Sequence, residues 1–161
     1  MRKEQAIFAC GCFWGAQYQF EIIKGVLRST VGYIGGEKEN PSYQEVKAHT
    51  TGHAEATQVE FDPEQVSYTD LCKVFFEIHD PAQTDGQGPD IGPQYRSEIF
   101  YLNETQKQEA EAAIDILRQK GYEVNTRLTP ATTFWEAEDY HQHYYEKTGG
   151  EPYCHIRIKK F

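Results

Sequence analysis

The chain has no run of about 18 apolar residues, and no continuous apolar stretch follows Arg2 and Lys3, so neither a membrane-spanning helix nor a secretory leader is legible. It also lacks a basic face. Acidic residues number 25 against 16 basic ones, for a net charge of −9, and the only basic cluster is Arg157, Lys159 and Lys160. That balance excludes nucleic acid or an anionic membrane surface as a partner, because both demand concentrated positive charge. None of the four cysteines has the Cys-x2-Cys spacing of a structural zinc knuckle. Internal repeats and low-complexity linkers are missing as well. The expected protein is soluble, cytoplasmic and monomeric, with no metal.

The 161 residues suit one domain over 1–161, which at this length buries roughly 68–70% of its unfolded surface without a disulfide framework. The expected core runs over about 4–130 and a tail over about 131–161. Cysteines spaced as Cys10-Gly11-Cys12, a lone Cys72 and Cys154-His155 read as redox chemistry or metal binding rather than as structural bridges. Eleven tyrosines exceed what packing needs, and each carries a hydroxyl suited to a core rim or a binding site.

The chain is organised around Gly11-Cys12-Phe13-Trp14-Gly15. The apolar run 6–9 before it predicts a buried strand. Ala16, Phe20 and Ile23 after it recur at helical spacing, with Gly25 as a stop. Cys12 therefore falls where a strand becomes a helix. A sulfur facing the first turn meets unpaired N–H groups and the positive end of the dipole, both of which favour thiolate. Phe13 and Trp14 can wall an apolar pocket beside it. The plainer alternative is an inert buried cysteine chosen for its size.

Downstream, β-branched and aromatic residues predict a strand over 27–33, closed by Gly35-Gly36. Residues 35–53 show no period and read as a long loop containing Tyr43. Alternation over 54–61 predicts a strand. Ser67 and Asp70 resemble a capping box opening a helix to Ile78, with Leu71, Val74, Phe75 and Ile78 as its apolar face. Cys72 beside that stripe reads as a small core residue. A second irregular segment covers 79–95. A strand over 97–102 is followed by a helix from the Asn103 cap to Lys120, burying Ala110, Ala113, Ile114 and Leu117. Alternation predicts another strand over 124–128, and 134–147 reads as a short aromatic helix. A glycine-hinged tail carrying Cys154 ends the chain. The expected class is α+β: a two-layer α/β sandwich with a ferredoxin-like βαββαβ core, long functional loops and an irregular C-terminal tail.

The pentapeptide at Cys12 resembles the signature of the peptide-methionine (S)-S-oxide reductases, MsrA. The similarity continues in order through Gly32-Tyr33, Gly35-Gly36, Asn40-Pro41-Ser42-Tyr43 and Thr51-Gly52-His53-Ala54-Glu55. It then runs through His79-Asp80-Pro81, Gln87-Gly88-Pro89-Asp90, Gln94-Tyr95-Arg96-Ser97, 137–142 and Tyr153-Cys154. The resemblance implies reduction of methionine S-sulfoxide, free or in proteins, with no bound cofactor. It implies Cys12 as nucleophile, Glu55 as acid, and Tyr43, Asp90 and Tyr95 around the sulfoxide oxygen. Cys154 is implied as the recycling cysteine, with thioredoxin as reductant. Gln17 and Gly86 depart from the residues common in that family.

The residue types fit the chemistry that the resemblance implies. A thiolate must attack sulfur, and an acid must protonate oxygen because oxide leaves poorly. A hydrophobic cup must hold the S-methyl group, and a second thiol must clear a sulfenic acid. Glu55 suits the acid only if burial raises its pKa; otherwise it is a surface carboxylate. Asp90 is otherwise a turn residue and Cys10 a small buried one, although an extended backbone would put Cys10 on the same face as Cys12. Two other functions compete: a cysteine hydrolase or transferase using a histidine on Cys12, and a non-enzymatic module binding methionine-like side chains in the Phe13–Trp14 cup.

Overall fold

A computed structural model of the chain describes residues 2–49, 51–84, 86–88, 90–149, 155 and 157–161. Cys154 lies outside them. The fold is mixed α/β, built on a largely antiparallel sheet. Strand β1 (Glu4–Cys10) leads into α1 (Phe13–Glu21) and β2 (Val26–Ile34). A short helix α2 (Tyr43–Lys47) precedes β3 (Ala54–Phe61) and α3 (Tyr68–Glu77). A small hairpin of β4 (Gly86–Gln87) and β5 (Asp90–Ile91) comes before β6 (Ser97–Tyr101) and the long α4 (Glu104–Gln119). Then follow β7 (Arg127–Pro130), β8 (Trp135–Glu136) and α5 (Tyr144–Thr148). The main sheet runs β7-β6-β1-β3-β2-β8, and only the β6–β7 pairing is parallel.

β1 is apolar on both faces because both are covered. Ala6, Phe8 and Cys10 pack with Ala16 and Phe20 of α1, with Leu71, Val74 and Phe75 of α3, and with Ala110, Ala113, Ile114 and Leu117 of α4. Phe8 stacks on Phe20 and Phe75 with ring centroids 5.1 and 5.3 Å apart. Ile7 and Ala9 face the other way, toward Ile34, Ala54, Ala56 and Phe100. The apolar faces expected for α3 and α4 are buried as periodicity names them, whereas Ile23, expected on the first helix, lies past the end of α1 and is half-buried. Both expected caps form: the Ser67 hydroxyl accepts from Asp70 N–H, and the Asn103 side chain accepts from Gln106 N–H.

Four expectations are corrected. The loop over 35–53 contains α2, which Ser42 and Glu45 open with a reciprocal capping box. The last long strand starts later than alternation suggested: Val124 turns into the helix-side core, Thr126 bonds Ser97 through their hydroxyls, and pairing begins only at Arg127. The segment 134–147 is not one helix but β8, a 3-10 turn at Asp139–His141 and α5. Cys10 and Cys12 do not share a strand face, because Gly11 takes φ +94° and ends the extended backbone between them.

Register explains where the chemistry collects. β1 pairs antiparallel with β3, Phe8 opposite Thr57, and with β6, Cys10 opposite Ser97. The end of β1 thus lies beside the starts of β3 and β6. Residues just past β1, at the head of β3 and just before β6 meet at one end of the sheet.

Candidate active site

Cys12 occupies the N-cap position of α1, immediately past the Gly11 turn, and its residue is 6% exposed. Glu55, the second residue of β3, is 2% exposed. Its carboxylate accepts a hydrogen bond from the Phe13 N–H at 3.3 Å, so the first turn of α1 presents a backbone donor to the carboxyl beside the sulfur. Burial, then the negative charge of Cys12, hold Glu55 well above the ordinary carboxylate range; the Phe13 N–H opposes them and the charge of Asp90 adds to them. Burial of this kind biases a carboxyl toward its protonated form.

Three more residues surround this pair. Tyr43 opens α2, and burial, followed by the charges of Glu55 and Cys12, pushes its hydroxyl up to about 12. The neighbouring Tyr95 side chain partly offsets that rise. Tyr95, in the turn before β6, is raised by burial and then by Glu55, Tyr43, Cys12 and Asp90. Asp90 comes from the β4–β5 hairpin. Cys12, Glu55, Tyr43, Tyr95 and Asp90 therefore feel one another's charge. The two phenols stay protonated, so they are donors for an oxygen placed among them.

The aromatic wall is more elaborate than two rings. Phe13 is fully buried against Tyr33, with centroids 5.7 Å apart. Trp14 stacks on Tyr144 at 3.8 Å, and its Nε1–H donates to His141 Nδ1 at 3.0 Å. His141 also lies 4.4 Å from the Tyr43 ring and 5.3 Å from Phe13. Because Nδ1 accepts, the remaining ring proton sits on Nε2. No local pattern in the sequence marks His141, yet it joins both halves of the cup.

Its neighbours hold the cup together. Glu138 accepts from the Tyr33 hydroxyl at 2.9 Å and from the Tyr43 N–H at 3.0 Å. Gln142 accepts from Val31 N–H and donates to Val31 and Ala137 carbonyls. The motif over 137–142 is thus a clamp between β2 and α2. The only signal for this in the sequence was its place in the family pattern.

Other histidines are committed elsewhere. His53 accepts from Gly36 N–H and donates to the Lys38 carbonyl. His79 bonds Phe75 O and Ser97 Oγ, and burial pushes it down to about 3. Both serve as loop anchors. Cys72 is fully buried in the helix-side core. Among the described residues one trio, Glu21, His143 and Glu146, brings metal-ligand atoms within 4.8 Å of one another; it shares no residue with the Cys12 cluster. No helix of the described residues is long and apolar enough to cross a membrane.

The family model for peptide methionine sulfoxide reductase matches residues 4–161. The chain belongs to the peptide methionine sulfoxide reductase family. It is 48% identical to the peptide methionine sulfoxide reductase MsrA of Geobacter sulfurreducens over 150 residues, 91% of this chain and 93% of that one. It is 51% identical to that of Methanosarcina acetivorans over 149 residues, 91% of this chain and 79% of the other. Reduced Mxr1 of Saccharomyces cerevisiae superposes with a TM-score of 0.91 at 32% identity, covering 98% of this chain and 93% of Mxr1. Methionine sulfoxide reductase A of Corynebacterium diphtheriae gives 0.85 at 35% identity, covering 94% and 77%. The reaction that names the family is the reduction of methionine sulfoxide.

Proposed function

We propose that this protein reduces the S epimer of methionine sulfoxide, free or in proteins, with Cys12 as nucleophile and Glu55 as proton donor. The supporting observation is the buried carboxyl of Glu55, pushed up beside Cys12 and fixed by the Phe13 N–H. The S-methyl group enters the cup of Phe13 and Trp14, and the sulfoxide oxygen faces Glu55, Tyr43 and Tyr95, with Asp90 orienting that network. The Cys12 thiolate attacks the sulfoxide sulfur while Glu55 gives its proton to the oxygen. The methionine S–O bond breaks, the oxygen so released as hydroxide adds to the Cys12 sulfur as the Cys12–methionine S–S bond breaks, methionine leaves as the thioether, and Cys12, which supplied the two electrons, becomes the sulfenic acid. The Cys154 thiol then displaces the sulfenic oxygen as water, leaving a Cys12–Cys154 disulfide.

Mxr1 has also been solved in complex with Trx2. For the present chain, a thioredoxin dithiol as the reductant is part of the proposal. So is the reading of the fold as ferredoxin-like, supported by the order β6-β1-β3-β2 with α1 joining β1 to β2 and α3 lying between β3 and β6. We likewise assign one catalytic domain, acting as a monomer in the cytoplasm. Turnover of purified S and R epimers with a dithiol tests the function. Methionine from the S epimer alone is expected; equal use of both epimers, or none of either, contradicts it.

A further inference from the structure

The residue after the proposed recycling cysteine is held more firmly than any chemistry described so far requires. His155 is 1% exposed, although the residues that follow it at 157–159 are exposed. Its Nε2 lies 2.7 Å from the Cys10 carbonyl, and because a carbonyl only accepts, Nε2 carries the proton and donates. Its own carbonyl accepts from Gln19 Nε2 of α1 at 2.8 Å. The ring rests on Gly15: a Cβ there would stand 3.1 Å from His155 Cγ and closer still to Nδ1. One imidazole is thus clamped between the residue where β1 ends and the helix that begins at Phe13, the two elements that flank Cys12. Gly15 is needed in the motif because any side chain would evict this ring.

From this we infer that His155 is a positioning residue for the second half of the reaction: it docks the tail on the Cys10–Gly15 segment so that the adjoining Cys154 reaches the oxidised Cys12. The inference rests on the recycling role proposed for Cys154. In the step concerned, the Cys154 sulfur bonds the Cys12 sulfur, the Cys12 S–O bond breaks, and the oxygen leaves as water with the thiol proton. Cys12 sulfenic acid is reduced, Cys154 is oxidised, and no further reactant enters. Two hydrogen bonds and a buried ring confine one peptide neighbour of Cys154, which raises the effective concentration of its thiol at Cys12 without touching substrate. Sulfoxide reduction uses none of these contacts.

The test separates the two halves. Protein is mixed with one equivalent of methionine S-sulfoxide without reductant; methionine, the Cys12–Cys154 disulfide and the dimedone adduct of Cys12 sulfenic acid are each followed in time. His155→Ala is expected to release methionine within twofold of the wild-type rate, form the disulfide at least tenfold more slowly, and accumulate dimedone-reactive Cys12. His155→Gln, whose amide N–H can still reach the Cys10 carbonyl, should recover most of the lost rate. A merely structural role would slow both halves together and respond equally to either substitution. Disulfide formation at the wild-type rate in His155→Ala, or parallel loss of methionine release, overturns the inference. If His155→Ala does not fold, Gln19→Ala at a half-buried helix position carries the test, with slower disulfide formation expected and an unchanged rate overturning it. If wild-type protein forms no Cys12–Cys154 disulfide at all, the recycling role falls and the docking role with it, an outcome distinct from a disulfide that forms equally fast with and without His155.

Discussion

Replacing Glu55 by glutamine isolates a proton from everything else the carboxyl does. The amide keeps an oxygen to accept the Phe13 N–H, now 3.3 Å from the carboxylate, and it keeps the volume at a site only 2% exposed. What disappears is a proton held in place by burial and by the neighbouring Cys12 and Asp90 charges. Losing a positioned general acid costs roughly 10²–10⁴-fold, about 2.7–5.4 kcal/mol of barrier at 1.36 kcal/mol per tenfold. Rapid-quench single turnover should show methionine release falling by that range. Iodoacetamide should still alkylate Cys12 at a rate close to wild type, because glutamine, like the protonated acid that it replaces, puts no charge beside the thiolate.

The same substitution has a stability signature. The folded carboxyl holds its proton above the unfolded value, so the native state binds a proton that the unfolded chain releases. That contribution is complete below the unfolded pKa, about 4.3 for Glu, and is lost as pH rises through the raised folded value. Glutamine does not titrate. The melting temperature of Glu55→Gln should therefore gain on wild type between pH 5 and 8, at about 2–4 °C per kcal/mol for a chain of this size. A methionine release rate within threefold of wild type would refute the reasoning, and so would a melting temperature of the variant minus that of wild type that stays flat or falls as pH rises.

Other outcomes follow from the same site. Cys154→Ser should release one methionine per protein and then stall with thioredoxin; undiminished thioredoxin-driven turnover would remove Cys154 from the recycling role. Trp14→Phe keeps a ring in the cup but loses the Nε1–H bond to His141. A net hydrogen bond of about 0.5–1.5 kcal/mol predicts a two- to twelvefold fall in kcat/KM, and no change would leave that bond without a function. Burial pushes the Cys72 thiol up to about 12, with the nearby Tyr68 side chain opposing it, so brief iodoacetamide labelling of the native protein at pH 8 should modify Cys12 and spare Cys72. Peptide mapping that finds Cys72 labelled first would contradict the burial on which this rests.

Local rules carried much of the fold. The apolar stripe of α3, its Ser67–Asp70 cap and the buried face of α4 are short-range patterns, and the structure realises each. What escaped was decided by contacts distant in sequence. α2 has only five residues, too few to show a helical period, and it is held by Glu138 accepting the Tyr43 N–H from 95 positions away. Val124 left the expected strand because a core position was open to it beside α4. The hairpin that carries Asp90 pairs only two residues on each side, below what alternation can reveal. At the site, the strand-to-helix turn placed Cys12 at the N-cap, as a strand followed by helical spacing implies. The burial of Glu55, by contrast, depends on both its strand neighbours and α1, and no residue near it in sequence announces that. His141 and His155 escaped for the same reason: a lone histidine carries no pattern until the chain brings Trp14 to one and Gly15 to the other.

The most direct test of the account is a single turnover with no reductant present. Mixing the protein with an excess of methionine S-sulfoxide should yield one methionine per protein and oxidise Cys12, while Cys12→Ser should yield none. Methionine produced by Cys12→Ser, or wild-type protein that releases none and leaves Cys12 a thiol, would contradict it.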